Sequence, residues 1–272
     1  MKKLEVPSKE DLYKLYIGEE MSLAKIASIY SVSAMTVRSW LIGRGLSTKT
    51  STQSLYHEIR GVDFSDLQKQ LIVGSILGDG GLRIPKRGKN ACFYERHCAK
   101  QKQYLEWKRD LLLPFVQKDL AMESGGCHTI SGVPCITQDS YKMITIAHPY
   151  LTELWKKFYI GNGNKVLPMD IEQYINPLVI AVWICDDGCL SFRSRSYRLD
   201  FHTENFSYDE VKRLADILSM YFNGNINIYS RKYLTGTKYY ITCSGHSALY
   251  KFCNELVNLV PDVMKYKFEI NI

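Results

Sequence analysis

Two apolar stretches of helical length, 108 positions apart, end on the same pair of residues. The first is Ile72-Val73-Gly74-Ser75-Ile76-Leu77-Gly78-Asp79-Gly80, and the second is Ile180-Ala181-Val182-Trp183-Ile184-Cys185-Asp186-Asp187-Gly188. Neither carries a polar face, so each reads as a buried helix. Glycine is a good residue to end a helix, because it enters left-handed backbone without strain. Aspartate is a poor choice in the last turn, where the helix dipole already places negative charge. One such acid carries little information. Two, each closing a buried helix, imply that the misplaced charge is used, and a divalent cation between them would offset the repulsion. Bringing the acids together requires the helices to pack closely. Gly74 and Gly78, four residues apart, give the first helix a smooth face for that. Val182 and Asp186 hold the equivalent places in the second.

The chain is similar here to a known family. The two runs resemble the paired motifs of the LAGLIDADG homing endonucleases in their single-chain form. Three further stretches carry the resemblance: His97-Cys98-Ala99-Lys100-Gln101-Lys102-Gln103-Tyr104-Leu105, Lys165-Val166-Leu167-Pro168, and Pro261 to Phe268 with Met264-Lys265-Tyr266-Lys267 inside it. Together they cover residues 66 to 270. The resemblance implies an α+β fold in which two pseudo-symmetric αββαββα halves form a DNA-binding saddle. It implies Asp79 and Asp187 as metal ligands, with the backbone carbonyls of Gly78 and Asp186 as further ligands. By alignment on the glycine, Asp187 is the acid of the second motif and Asp186 is extra. Lys165 and Lys267 are the implied catalytic lysines, one per half, stabilising charge at phosphorus or tuning the attacking water. The implied cofactor is Mg2+, with Mn2+ as a substitute.

Residues 8 to 46 read as a small all-α unit preceding that fold. Ser8 caps a first helix to Ile17, Ser22 a second over Leu23 to Tyr30, and Ser33 a third from Ala34 that Gly43 ends. The pattern Ile26-Ala27-x-x-x-Ser31-Val32-Ser33-x-x-Thr36-Val37-x-x-Trp40-Leu41 resembles a helix-turn-helix module, with Ser31 where glycine is commoner. Such a module lays its third helix in the major groove, which places Thr36 and Arg38 at the DNA with Arg44 nearby. The expected domains are therefore 1–47 for this module, 48–65 for a polar linker, 66–165 for the first half and 166–272 for the second.

Past the first motif, Leu82 to Pro85 and Ala91 to Cys98 read as a hairpin, followed by a helix from Lys102 to Leu113. Residues 127 to 136 and 141 to 148 suggest another hairpin, and Tyr150 to Tyr159 a closing helix. The second half repeats the order. Strands at 190–193 and 198–202 precede a helix at 207–222 that opens with a Ser207–Glu210 capping box. Strands at 225–229 and 238–243 then lead to a helix at 246–259.

Basic residues gather on these hairpins: Arg83, Lys86, Arg87, Lys89, Arg96 and Lys100 in the first half, and Arg193, Arg195, Arg198, Arg231, Lys232 and Lys238 in the second. Alternation along a strand puts every second residue on one face. A two-stranded ribbon with a basic face fits the major groove, where arginine reads guanine and lysine finds phosphate. The net charge of +7 agrees in sign.

With 46% apolar residues in 272, the chain can bury a core, which excludes general disorder. Eight cysteines include no Cys-x-x-Cys pair, so they read as reduced thiols. No run is apolar enough to span a membrane and the N-terminus is no secretory signal. These features are read as an intracellular, cytoplasmic protein of bacterial or phage origin, with an organelle left open. The reading is a monomeric, metal-dependent endodeoxyribonuclease that cuts a long asymmetric double-stranded DNA target. Two alternatives stay open: a catalytically silent DNA-binding regulator, and an intron RNA maturase of the same fold.

Overall fold

The computed structural model describes residues 6–48, 59, 61–86, 88–130, 133–161, 163–193, 195–234 and 236–270. They divide into two compact units, 1–62 and 63–272. Among the described residues no helix is long and apolar enough to cross a membrane.

The first unit is helical: α1 (Lys9–Tyr13), continued by a wider turn over Lys14–Gly18, then α2 (Leu23–Tyr30) and α3 (Ala34–Gly43). Ser8, Ser22 and Ser33 each accept a hydrogen bond from the backbone N–H three residues on. Ser31 closes α2 in left-handed backbone with φ of 53°. Gly43 does not end α3 but is its last residue, and the left-handed turn falls at Gly45. Leu12, Tyr16, Ile26, Ala27, Val37 and Leu41 form the core, and the Tyr30 and Trp40 rings meet edge-on at its border. The expected 48–65 linker lies mostly outside the described residues.

The second unit runs through the same order of elements twice, with an extra hairpin in the first pass. The first pass is α4 (Asp66–Leu77), β1 (Gly81–Arg83), β2 (Cys92–Cys98), α5 (Lys102–Leu111), β3 (Ala121–Glu123), β4 (Gly126–Ile130), β5 (Val133–Thr137), β6 (Ser140–Ile144) and α6 (Pro149–Phe158). After a short pair, β7 (Tyr159–Ile160) and β8 (Asn164–Lys165), the second pass is α7 (Pro177–Asp187), β9 (Gly188–Arg193), β10 (Ser196–Phe201), α8 (Tyr208–Leu218), β11 (Asn225–Tyr233), β12 (Gly236–Ser244) and α9 (His246–Leu256). Each pass builds one antiparallel four-stranded sheet. Their orders are β1-β2-β6-β3 and β9-β10-β12-β11. The expected hairpin of residues 127 to 136 with 141 to 148 does not form. Residues 127 to 136 do not pair with β6; they fold on themselves as the β4–β5 hairpin, and β6 pairs instead with the three-residue β3.

α4 and α7 are apolar on all sides because both lie inside, with Leu71 to Leu77 and Val179 to Asp186 buried. The two motif helices pack on each other through matched notches and side chains. A Cβ on Gly74 would lie 2.8 Å from Val182 Cβ and 2.9 Å from the Val179 carbonyl. A Cβ on Gly78 would lie 2.4 Å from Asp186 Cβ. Val182 and Asp186 thus occupy the room that the two glycines leave, and this close approach sets the depth of contact. The capping boxes at Ser65–Gln68 and Ser207–Glu210 start α4 and α8.

Candidate active site

The C-terminal ends of α4 and α7 carry the two acids. Asp187 is the last residue of α7, and its backbone carbonyl accepts from His202 N–H. Asp79 lies two residues beyond α4, in a turn where Gly80 N–H reaches back to Ser75 O at 2.7 Å. The two motifs are therefore not superimposable in detail: one acid is helical and the other is presented by a turn.

Both carboxyls are held above the ordinary carboxylate range. Burial is the main cause for Asp187, which is pushed up to about 6, and the negative charge of Asp79 adds to it. Burial likewise raises Asp79, against the pull of His97, whose Nδ1 lies 3.8 Å away. Two acids that resist ionising next to each other gain from a cation held between them. Backbone oxygens and carboxylates make a hard donor set, which suits magnesium. The residues therefore fit a divalent ion at Asp79 and Asp187.

A lysine arrives at each motif end. Lys165 Nζ donates to the carbonyls of Ile76, Gly78 and Gly80 at 2.7, 3.4 and 3.3 Å. Its approach is fixed by the segment after it: Val166 N–H bonds Phe158 O, and Leu167 N–H bonds the capping-box carboxylate of Glu210. Burial lowers its pKa, against the pull of Asp187 and Asp79. Lys267 Nζ donates to Gly188 O at 2.9 Å from the Asp262–Phe268 turn, which Met264 and Phe268 bury. Lys165 and Lys267 each lie close enough to Asp79 and Asp187 for their charges to interact. The Gly78 carbonyl faces Lys165.

The structure also gathers residues that the sequence did not nominate. Phe93, Glu95 and His97 share one face of β2, and Leu82 and Met143 join it from β1 and β6. That face is buried. Glu95, at 0% exposure, meets Lys108 from α5, also at 0%. Lys108 Nζ donates to Ser75 Oγ at 2.8 Å and to both Asp186 oxygens at 2.9 and 3.0 Å. Tyr104 O–H donates to Asp186 Oδ1 at 2.8 Å, and His97 Nε2 lies 2.7 Å from Glu95 Oε1. Burial alone would drive Lys108 toward its neutral form, but Asp186 and Glu95 outweigh it and hold the proton. Burial would neutralise Glu95 too, but Lys108 and His97 keep it ionised. Breaking a buried pair of this kind from one side costs about 3–5 kcal/mol. Asp79, His97 and Asp186 each place a ligand atom within 4.8 Å of the others. The Asp186 carboxylate is committed to Lys108 and Tyr104, however, so its side chain is not offered to an ion. A sequence signal for this cluster existed. Glu95 and His97 fall at the parity of buried Phe93, and Lys108 lies one helical turn from Tyr104 on the apolar side of α5.

The basic residues sort by parity. Arg83 and Arg96 lie on the sheet face away from the helices, joined by Lys142 on β6 and by Glu123, which binds Arg96 at 2.7 Å and Lys142 at 3.5 Å. On the second sheet the same face carries Arg193, Arg198, Arg231 and Lys238. Arg198 bonds Thr242 Oγ1, stands 3.6 Å from Asp200 and lies over the Tyr229 ring. Lys232 stands at the opposite parity, with Ile226 and Ile228, outside that row. Arg195 forms the β9–β10 turn with φ of 64°. Lys86, Lys89 and Lys100 are exposed in connections, and Arg87 lies outside the described residues. In the first unit Arg38 is exposed, while Thr36 and Arg44 are half-buried.

The sequence model of a family described as the LAGLIDADG DNA endonuclease family matches residues 69–252. The chain belongs to that family. A solved structure shares the fold. The homing endonuclease I-WcaI, solved bound to its DNA recognition sequence, aligns with a TM-score of 0.68 over 84% of this chain and 96% of that one, at 23% identity. Among curated proteins, a protein RecA of Mycolicibacterium chitae is 33% identical over 165 residues, covering 57% of this chain and 36% of the relative. A cytochrome b mRNA maturase bI2 of Debaryomyces hansenii is 31% identical over 163 residues, covering 57% of this chain and 56% of the relative. The chain thus spans about a third of the RecA relative and little more than half of the maturase. The LAGLIDADG match begins after the helical first unit.

Proposed function

We propose that this LAGLIDADG protein is a site-specific, metal-dependent endonuclease of double-stranded DNA. The observation that carries the reading is the convergence of Asp79 and Asp187 at the ends of two interlocked helices, each beside a lysine bound to motif carbonyls. Mg2+, or Mn2+ in its place, would supply a nucleophilic hydroxide and charge neutralisation at the leaving oxygen. Asp79 and Asp187 would hold the ion, and the Gly78 and Asp186 carbonyls lie beside them in the chain. Lys165 and Lys267 bind the backbone that presents each acid and bring positive charge to where the phosphate would gain negative charge. Arg83, Arg96, Arg193, Arg198, Arg231 and Lys238 offer a basic surface on the outer sheet faces for a long duplex. Because one chain carries both acids, it acts as a monomer on a site that need not be a palindrome. Residues 1–62 add contacts to flanking DNA through α3 as a helix-turn-helix module.

The test is cleavage of a randomised duplex library with Mg2+, reading the cut ends, beside the Asp79→Asn Asp187→Asn variant. Cuts clustered at one long site, absent in the variant, are the expected result. Tight binding without cutting by either protein would overturn the nuclease reading. A second reading, RNA maturase activity, is favoured by the likeness to cytochrome b mRNA maturases. It predicts that the protein binds an intron transcript more tightly than any duplex in the library.

A further inference from the structure

One buried cation ties the first sheet to the second motif helix. Lys108 reaches from α5 to three other elements: Ser75 on α4, Glu95 on β2 and Asp186 on α7. On its own helix the Tyr104 ring lies beneath the ammonium, 4.4 Å from Nζ to the ring centroid. His97 completes the surroundings behind Glu95. Asp186 is clamped in turn. Lys108 holds both of its oxygens, Tyr104 holds one of them, and its Cβ lies in the notch of Gly78. Asp186 immediately precedes Asp187, and the two are the last residues of α7. Two consecutive acids at a helix C-terminus repel the dipole and each other, so an unsupported end would fray. A cation fixed against the last turn is what such an end requires.

We propose that Lys108 is a positioning residue for phosphodiester cleavage: by clamping Asp186 it fixes the helix end that presents Asp187 for metal binding. This rests on the nuclease reading of the same site. Lys108 acts through Asp186, both of whose carboxylate oxygens it holds.

The test uses the full chain. Lys108→Met alone strands two buried carboxylates and is expected to fold poorly. The paired variant Lys108→Met Asp186→Asn removes one charge of each sign at nearly constant shape. Four readouts are taken: thermal melting, Mn2+ titration followed by electron paramagnetic resonance, Kd for the library-derived duplex in Ca2+, and single-turnover cutting of that duplex in Mg2+. The expected result is a folded protein with unchanged duplex affinity, weaker Mn2+ binding and cutting slowed about 100-fold. A folded paired variant that binds Mn2+ and cuts like the parent would overturn the assignment. If the pair melts early, Asp186→Asn alone, which leaves Lys108 its Glu95 partner, is judged by the same readouts. A parent that takes up Mn2+ but cuts no duplex would overturn the nuclease reading instead. The Mn2+ titration of the variant then still decides for or against Lys108.

Discussion

Gly74→Ala tests whether the spacing of the two motif helices controls the chemistry. The added Cβ would lie 2.8 Å from Val182 Cβ and 2.9 Å from the Val179 carbonyl oxygen. A relaxed carbon–carbon contact is about 3.5–4.0 Å, so the helices must part by about 0.7 Å or more. Val179 O is backbone, which leaves no side chain to swing aside. Overpacking of this kind costs about 1–3 kcal/mol. Replacing a mid-helix glycine by alanine returns about 1 kcal/mol. The net effect runs from near zero to a loss of about 2 kcal/mol, worth a fall in Tm of up to about 8 °C for a unit of this size. The effect on rate should exceed the effect on stability. The movement separates the chain ends that carry Asp79 and Asp187, and a displacement approaching 1 Å costs about 100-fold. Calorimetry and single-turnover cutting of the selected duplex measure the two effects. A raised Tm with undiminished cutting would mean that the helix gain dominates and the close approach is unimportant.

Asp187→Asn should abolish cutting in Mg2+ while leaving duplex affinity in Ca2+ intact; residual cutting at the parent rate would remove Asp187 from the site. Asp187 is held at about 6 and Asp79 is also raised, so the folded protein binds these protons more tightly than the unfolded chain. Without metal, these groups make stability fall as pH rises from the ordinary carboxylate range through about 6, and only the ionised pair binds metal. Stabilisation by Mg2+ should therefore be present near pH 8 and vanish as pH drops through about 6, followed by melting temperature with and without the ion. A pH-independent Mg2+ effect would place the ion elsewhere. Arg198→Ala should relax target choice at one base position, at a cost of about 1–3 kcal/mol, when binding is profiled across the library. Equal weakening on every sequence would make it a phosphate contact.

What the sequence made legible was mostly local or repeated. Ser22, Ser33 and Ser207 each announce a helix start because a cap needs only its own next three residues. The two motifs announce each other because the misplaced acid recurs. Gly74 and Gly78 were readable as a packing face, although only the structure shows Val182 and Asp186 filling it. What stayed hidden depends on distant partners. β3 is three residues long and is defined by β6, while the β4–β5 hairpin interrupts the spacing that would have revealed the pairing. The helical spacing puts Lys108 on the buried side of α5, but its partners, Glu95 13 positions earlier and Asp186 78 positions later, are set only by the fold. Asp186 itself looked like a redundant acid, since its counter-charge comes from the other pass of the chain.

The two passes share an order of elements but have exchanged chemistry at matched positions. Aligning Asp79 with Asp187 matches Ser75 with Trp183, Gly74 with Val182 and Gly78 with Asp186. Continuing the β1–β2 register by one residue sets Glu95 opposite Gly80, as Phe201 lies opposite Gly188. The first pass therefore carries a polar pair, Ser75 and Glu95, where the second carries Trp183 and Phe201, whose rings lie 4.6 Å apart. Charge follows the same division: the first pass supplies Lys108 and Glu95, and the second lends Asp186 across the helix pair. Two copies of the first pass would meet glycine against glycine and leave Lys108 one carboxylate short. Two copies of the second would drive Val182 into Val182 and one buried Asp186 into another. The buried charge cluster and the one-sided set of notches draw on both sequences at once. The asymmetry between the two passes is thus built into the motif helices as well as into the outer faces of the sheets.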